Sequence, residues 1–538
     1  MKRIDEHITE RPLRRLLNGA VILTMAALVS KILSAGYRIP YHYIAGDVGF
    51  YIYQQIYPFY GLAVLFSTYG FPVIISKLIA QEMGKGRRES VFHIVKVSFT
   101  ALLLLNVLLF SIQYGAAEQI ADLMGDAQLT NLIKIVSFSF LLTPFIAVAR
   151  GYYQGQNNMI PTAVSQVVEQ TVRVSAILVF SYSLLSKGYG VYKAGAGAIA
   201  GSVAGGFASL AVLLFFLSKH QGGLFFTKSK GVTVQTKKIL QALFIQGTLI
   251  SISSMGILLI QFIDSFTLYA QLVENGLDEH AAKSIKGIYD RGLPLIQLGT
   301  VVGTAFSLSL VPVISAAIVK KDYSLLKEKT ELSIRLSFVV GVGAVLGLIG
   351  IMEPTNIMLY GDVLGTGMLR VFCVMILFTT LVAASAAILQ GMDHAGISAL
   401  TMVAGMVVKW VLNMVLIPAY STTGAAVSSV VSFALIAVMN NLYLYKKLGF
   451  PVIKGRTLWL TFKAGAGMLL VLLIYKEVWQ WISPSLLERN WRVVWEALSG
   501  VAVGGLFYGW MILRNHLFTK EEVLKIPYGD KLSKWMKS

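Results

Sequence analysis

The chain has 538 residues, 56% of them hydrophobic and 14% charged, with a mean hydropathy of +0.68; a soluble domain carries about 25% charged residues, so the composition excludes one and defines an integral membrane protein. The formal charge of +19 would point to nucleic acid in a soluble protein, but here Lys and Arg fall in the connections between apolar runs, which is membrane topology, and no nucleic-acid partner is expected. One cysteine, Cys373, excludes a disulfide and a cysteine metal site.

The first apolar run, 16–36, follows Lys2, Arg3, Arg11, Arg14 and Arg15 and imitates a signal peptide. Its full membrane length and the interruption at Lys31 predict a retained helix instead. Further runs lie near 50–80, 91–116, 130–152, 159–184, 192–218, 240–271, 284–319, 332–352, 367–390, 396–417, 422–445, 457–476 and 491–513. They make fourteen spans, and none shows the period-two alternation of a membrane barrel.

Basic residues collect in alternate connections: Lys85, Arg87 and Arg88; Lys219, Lys228, Lys230, Lys237 and Lys238; Lys320, Lys321, Lys327 and Lys329; Lys446, Lys447, Lys454 and Arg456. Their counterparts are poor in base or acidic, with Glu118, Asp122 and Asp126, then Glu353 and Asp362. The bias places both termini in the cytoplasm.

A tandem repeat runs through the spans. Tyr289-Asp290-Arg291, Pro294 and Val311-Pro312 echo Tyr53-Gln54-Gln55, Pro58 and Phe71-Pro72, and 236 residues separate Tyr53 from Tyr289. The same offset carries Gln154-Gly155 to Gln390-Gly391 and Arg173 to Lys409. Six spans per repeat is an even number, so the halves enter from the same side. The expected fold is all-α: two six-helix bundles related by a pseudo-two-fold along the membrane normal, plus two C-terminal helices. The expected boundaries are 1–219 and 240–446 for the bundles, 220–239 for a basic cytoplasmic linker, and 447–538 for the extra helices and a basic tail. In the sixth span Gly197, Gly201 and Gly205, matched by Gly424, Ser428 and Ser432, predict close helix packing within each bundle.

Lys31, Glu169, Arg173, Asp264, Arg291 and Lys409 fall within or just inside apolar runs. An ionised side chain at the bilayer centre costs about 2.5–3.5 kcal/mol even on lenient scales, so these six face protein or a cavity. Gln166, Glu169, Gln170 and Arg173 share one helical face, where Glu169 and Arg173 are spaced to pair with each other. Lys31 and Lys409 have no acid within four residues, and Asp290 beside Arg291 points elsewhere on a helix, toward a neighbour. Arg38 follows the first span as a cavity-mouth or loop charge. A net cationic cavity suits an anionic substrate, because the planar arginine fork holds phosphate bidentately. Tyr37, Tyr41, Tyr43, Tyr51, Tyr53, Tyr57 and Tyr60 cluster near the first outside connection and read as an interfacial belt, although tyrosine faces also bind sugars.

No P-loop motif and no paired-histidine metal motif occurs, so no cofactor is expected, and an energy source is ionic, electrical or the substrate gradient.

Tyr289-Asp290-Arg291 followed by Leu298-Gly299-Thr300 and Leu310-Val311-Pro312 resembles the eighth span of the MurJ-type lipid II flippases. Ser30-Lys31-Ile32-Leu33 leading to Tyr37-Arg38 resembles their first-span motif. Phe71-Pro72-Val73 with Ser76-Lys77, and Gln154-Gly155 with Pro161, are similar to the polysaccharide-exporter branch that includes stage V sporulation protein B. The resemblance covers nearly the whole chain and implies the multidrug/oligosaccharidyl-lipid/polysaccharide (MOP) superfamily, in which two bundles alternate between inward and outward opening. It implies that Lys31, Arg38 and Arg291 line a cavity. Lysine stands at 31 where the lipid II branch has arginine, and no second-span base matches. It also implies that the last two spans form a groove for a lipid tail.

The function expected is translocation of a lipid-linked anionic glycan, a polyprenyl-diphosphate oligosaccharide or peptidoglycan precursor, across a bacterial plasma membrane. Membrane lipids and a coupling ion, H+ or Na+, are the other partners expected. The substrate-binding candidates are Lys31, Arg38, Glu169, Arg173, Asp264, Asp290, Arg291 and Lys409. The rival reading is a drug/cation antiporter that uses Asp264 or Glu169 as its ion site. An enzyme is not expected, because the outside connections are short and carry no nucleophile or base.

Overall fold

The computed structural model describes residues 22–219 apart from 24, 234–482 apart from 452, 489–524, 530 and 533–536. The basic N-terminal segment and most of the expected linker lie outside the described residues. Among those described, every regular element is helical.

Helix α1 covers 25–36, and α2 runs Arg38–Leu65. Gly46 breaks α2 at φ +68°, a left-handed backbone that glycine adopts without a Cβ penalty. Tyr37 and Tyr53, 16 residues apart, join hydroxyls at 2.8 Å. Along a straight helix that separation would span about 24 Å, so the chain doubles back at Gly46. A π-turn at Phe66–Gly70 leads into α3, Phe71–Gly84, with Pro72 in the first turn, where its missing N–H costs nothing.

The chain continues through α4 (Arg88–Gly115), α5 (Ala117–Leu123), α6 (Thr130–Gly155), α7 (Ile160–Ser186) and α8 (Val191–Lys219). Beyond 234 follow α9 (Thr236–Gln241), α10 (Thr248–Ser254), α11 (Gly256–Glu274) and α12 (Glu279–Asp290). Then come α13 (Gly292–Val319), α14 (Tyr323–Tyr360), α15 (Thr366–Phe372), α16 (Met375–Gly391), α17 (Ala395–Leu448), α18 (Gly455–Ile482), α19 (Arg489–Arg514) and α20 (Lys520–Leu524). Helix α17 is broken at Ser421, φ +52°. Lys409 Nζ reaches the Ala425 carbonyl at 2.9 Å across the break, so the chain turns back there too.

Among the described residues, eleven helices are long and apolar enough to cross a membrane. Two of these stretches, Met25–Gly84 and Ala395–Leu448, contain the breaks at Gly46 and Ser421 and supply two crossings each, and α13 adds another. Divided in this way, the described helices are roughly consistent with the fourteen spans expected.

The residues group into two compact units, one reaching to Asp290 and including Asp393–Ala425, the other comprising Arg291–Met392 and the chain from Ala426 onward. In the first unit α7 and α8 pack closely along the glycine stripe. A Cβ on Gly201 would stand 2.8 Å from Ile177 N, and one on Gly205 would stand 2.8 Å from both Glu169 O and Arg173 Cβ. This is the close packing within a bundle that the spacing predicts. Helix α12 lies against α2, where Gly287 admits the Asp47 carbonyl, 2.1 Å from the place a Cβ would occupy. In the second unit α14 packs against α18 and α19 through Val339, Ile351, Met468, Leu472 and Tyr508.

The structure adds detail to one connection and corrects one local expectation. The acidic connection after the third span is no open loop: Asp126 is buried, accepting from Tyr51 Oη at 3.1 Å and Tyr192 Oη at 2.6 Å, with Lys283 Nζ at 3.7 Å. The tyrosine belt is mostly not at an interface. Tyr37, Tyr41, Tyr51, Tyr53 and Tyr60 are buried and only Tyr43 is well exposed, because the turn at Gly46 folds their two helices face to face.

Candidate anion-binding site

The first unit gathers three of the predicted charges, Arg38, Glu169 and Arg173, around α7. Arg38 and Arg173 are wholly buried. Their guanidinium carbons stand 4.8 Å and 5.6 Å from the centre of the same Tyr57 ring. Arg173 also faces Tyr37 at 5.3 Å and Tyr60 at 5.0 Å, and donates to Tyr37 Oη at 3.2 Å. Cation–π contacts of this kind contribute about 2 kcal/mol when desolvated, less than the several kcal/mol that burying an ion costs. Among the described residues, neither arginine has a carboxylate at ion-pair distance. The three guanidinium nitrogens of Arg38 and Nε of Arg173 are buried without a hydrogen-bond acceptor.

Glu169 and Arg173 do not form the pair that their spacing offers. The Glu169 carboxylate accepts from Arg150 Nη2 at 2.7 Å, on α6, and Tyr60 Oη lies 3.5 Å away. Arg150 is also wholly buried and donates to Thr68 Oγ1, Ser165 Oγ and Ser209 Oγ at 2.8–3.1 Å, tying α6 to α7, α8 and the π-turn. A cavity of about 20 Å³, room for one water, lies between Tyr60, Ser67, Ser139, Thr143, Glu169 and Ser202. Three arginines against one glutamate leave this box with a net charge of +2.

The repeat shows why the box is in the first half. At the 236-residue offset, Arg150 becomes Ala386, Glu169 becomes Gly405, Tyr57 becomes Leu293 and Tyr60 becomes Ile296. Arg150 was not among the sequence candidates, because it lies near the end of its apolar run, where a charge usually reaches water. Its replacement by alanine in the second repeat was the available signal.

Four of the remaining candidates, Asp264, Asp290, Arg291 and Lys409, lie in ion pairs. Lys409 Nζ lies 2.7 Å from Asp264 Oδ1, and Asp264 also accepts from Tyr289 Oη at 2.8 Å and Asn413 Nδ2 at 2.9 Å. Asp290 accepts from Lys286 at 2.6 Å and 2.7 Å. Arg291, in the second unit, makes a fork to Asp362 at 2.7 Å and 3.0 Å, with Tyr360 Oη on its carbonyl at 3.0 Å. Lys31, on α1, is half-buried. Arg173 and Lys409 thus sit in separate clusters with separate partners. Among the described residues, no group of three or more His, Cys, Asp or Glu could hold a metal ion.

The fold is similar to that of solved multi-pass membrane transporters of the MOP superfamily. It matches an inward-facing multidrug MATE transporter with a TM-score of 0.61 at 16% identity, covering 80% of this chain and 98% of that one. It matches the lipid II flippase MurJ in an inward closed conformation with a TM-score of 0.63 at 14% identity, covering 91% and 97%. The chain belongs to the polysaccharide biosynthesis protein family, whose pattern covers residues 16–318. Among curated relatives in Bacillus subtilis (strain 168), it is 42% identical over 521 residues to the uncharacterised membrane protein YabM, 96% of either chain. It is 27% identical over 523 residues to the lipid II flippase MurJ (92% of this chain, 94% of that one) and 27% identical over 531 residues to stage V sporulation protein B (96% and 98%).

Proposed function

We propose that the protein translocates a polyprenyl-diphosphate-linked glycan, an oligosaccharide or a peptidoglycan precursor, from the inner to the outer leaflet of a bacterial plasma membrane by alternating access. The observation that carries this reading is the buried +2 box around Arg38 and Arg173. Its charge complements a diphosphate diester, and its unpartnered guanidinium nitrogens are the donors that phosphate oxygens accept from. The tyrosine walls suit the flanking sugar or prenyl carbons. Arg291 and Lys31 serve as further basic contacts along the route. The likeness to lipid-linked-precursor flippases and exporters supports the same class.

With the cytoplasm negative, outward movement of two negative charges releases roughly 4–5 kcal/mol per 100 mV, so the membrane potential can drive export. The Lys- and Arg-rich connections set both termini in the cytoplasm. Spans 1–6 and 7–12 act as the two moving bundles, with the last two spans holding the lipid tail. The antiporter reading is less well supported, because Asp264 and Glu169, its ion sites, already hold Lys409 and Arg150.

The test is flipping of a fluorescent polyprenyl-diphosphate sugar by the purified chain in vesicles. Arg38→Ala and Arg173→Ala should each lower the rate by about tenfold or more, the scale of one lost charge-assisted contact. Normal rates in both variants at equal protein density would overturn the reading.

A further inference from the structure

The two halves carry the same three-residue arrangement with one change in it. In the first, Tyr37 Oη joins Tyr53 Oη at 2.8 Å and receives Arg173 Nη2 at 3.2 Å. In the second, the Asp264 carboxylate receives Tyr289 Oη at 2.8 Å and Lys409 Nζ at 2.7 Å. Tyr53 and Tyr289, and Arg173 and Lys409, are repeat mates at 236 residues. Tyr37 and Asp264 are 227 residues apart, the offset that also relates Gly197 to Gly424. The spans match as well: first, second and fifth against seventh, eighth and eleventh.

The geometry points to position 37 as the residue that decides which half binds the anion. Where the central group is an aspartate, the base is neutralised from within, and the Ala425 carbonyl at 2.9 Å completes its coordination. Where it is a tyrosine, the hydroxyl positions the guanidinium without cancelling its charge, and a ligand must supply the anion. Tyr37 is therefore a specificity residue for a diphosphate at Arg173, acting through the charge it leaves there, and the Asp264–Tyr289–Lys409 group is its self-satisfied structural counterpart. The inference rests on the anion site proposed above.

The experiment measures inorganic pyrophosphate binding to the full chain in detergent, by calorimetry and by the shift in thermal unfolding. Wild type should bind and Arg173→Ala should not; no binding by wild type, or equal binding by both, would overturn the anion site itself. Given that difference, Tyr37→Asp should weaken binding by about tenfold or more, since a carboxylate is worth at least one such factor against an arginine. Tyr37→Phe and Tyr37→Asn, which add no charge, should bind within about threefold of wild type, less than half of one tenfold step in free energy. If Tyr37→Asp does not fold, Tyr53→Asp places a carboxylate in the same hydroxyl pair and should act alike. Undiminished binding in a folded Asp variant would sink the assignment of position 37 while leaving the anion site standing, as would equal losses in the Asp and Asn variants.

Discussion

Glu169 gives its carboxylate to Arg150 at 2.7 Å, on another helix, and leaves Arg173, one turn along its own helix, to a set of tyrosine rings. One acid thus satisfies the arginine that ties the helices together, and none is left for Arg173 or Arg38. Removing one member of a buried pair costs about 3–5 kcal/mol, because the other is stranded. Arg150→Ala should therefore unfold at markedly lower temperature. Arg150→Met with Glu169→Leu should recover much of the loss, as read by thermal unfolding in detergent. Equal destabilisation in the single and double variants would show that the hydroxyl contacts of Arg150, rather than the ion pair, hold the helices.

The glycine stripe of α8 sets the position of α7 at the residues that matter. A Cβ at Gly205 would meet the Glu169 carbonyl and Arg173 Cβ, both at 2.8 Å, whereas one at Gly197 would meet the movable Leu184 Cδ1 at 2.6 Å. Overpacking against backbone costs about 1–3 kcal/mol. Gly205→Ala should lower both stability and flipping, and Gly197→Ala should do little. The comparison is made at matched membrane abundance, and equal behaviour of the two would remove the stripe from the account of the site.

Lys409 and Asp264 are a structural pair on this reading, so their loss should show in folding before it shows in transport. Lys409→Ala strands a buried carboxylate and should reduce folded yield; Lys409→Met with Asp264→Asn should restore it. Flipping per folded molecule should stay near normal in the double variant. A folded double variant that cannot flip would put this pair in the substrate path.

The crossings were legible in the sequence because each is a long apolar run, and even the reversals at Gly46 and Ser421 were visible as boundaries between runs. The pairing of buried charges was not. Helical spacing tells which residues share a face, as for Glu169 and Arg173, but the partner across the bundle comes from packing. Asp264 is held by Lys409 and Asn413, on a helix far along the chain, and no local pattern joins them. Arg150 was hidden by its place near a span end, and Asp126 by a connection that folds inward onto Tyr51 and Tyr192.

The proposed orientation can be read by thiol labelling in intact cells. Cysteine at Asp122, an exposed residue of the acidic connection, should react with an impermeant reagent, and cysteine at Lys454, exposed on the basic side, should not. The native Cys373 is buried and should be silent. Labelling at 454 with protection at 122 would invert the topology and, with it, the direction of export.

Arg291 poses the sharpest choice between a structural clasp and a substrate contact. Its fork is filled by Asp362 at 2.7 Å and 3.0 Å, its carbonyl receives Tyr360 Oη, and its guanidinium lies 5.1 Å from the Tyr360 ring. Asp362, however, is partly exposed at 35%, so a diphosphate could reach and replace it. If Arg291 grips substrate in another stage of the cycle, Arg291→Ala should lower flipping by more than about tenfold, the consequence of losing 2–5 kcal/mol of charge-assisted contact. Arg291→Lys keeps the charge without the fork and should retain part of the rate. Asp362→Asn separates the two roles, because it removes the competitor but leaves the arginine. A substrate contact predicts a lower apparent KM with the fold intact, whereas a clasp predicts that Asp362→Asn loses stability much as Arg291→Ala does. Thermal unfolding and flipping measured on the same three preparations decide between them, and parallel stability losses with unchanged flipping per folded molecule would take Arg291 out of the transport route.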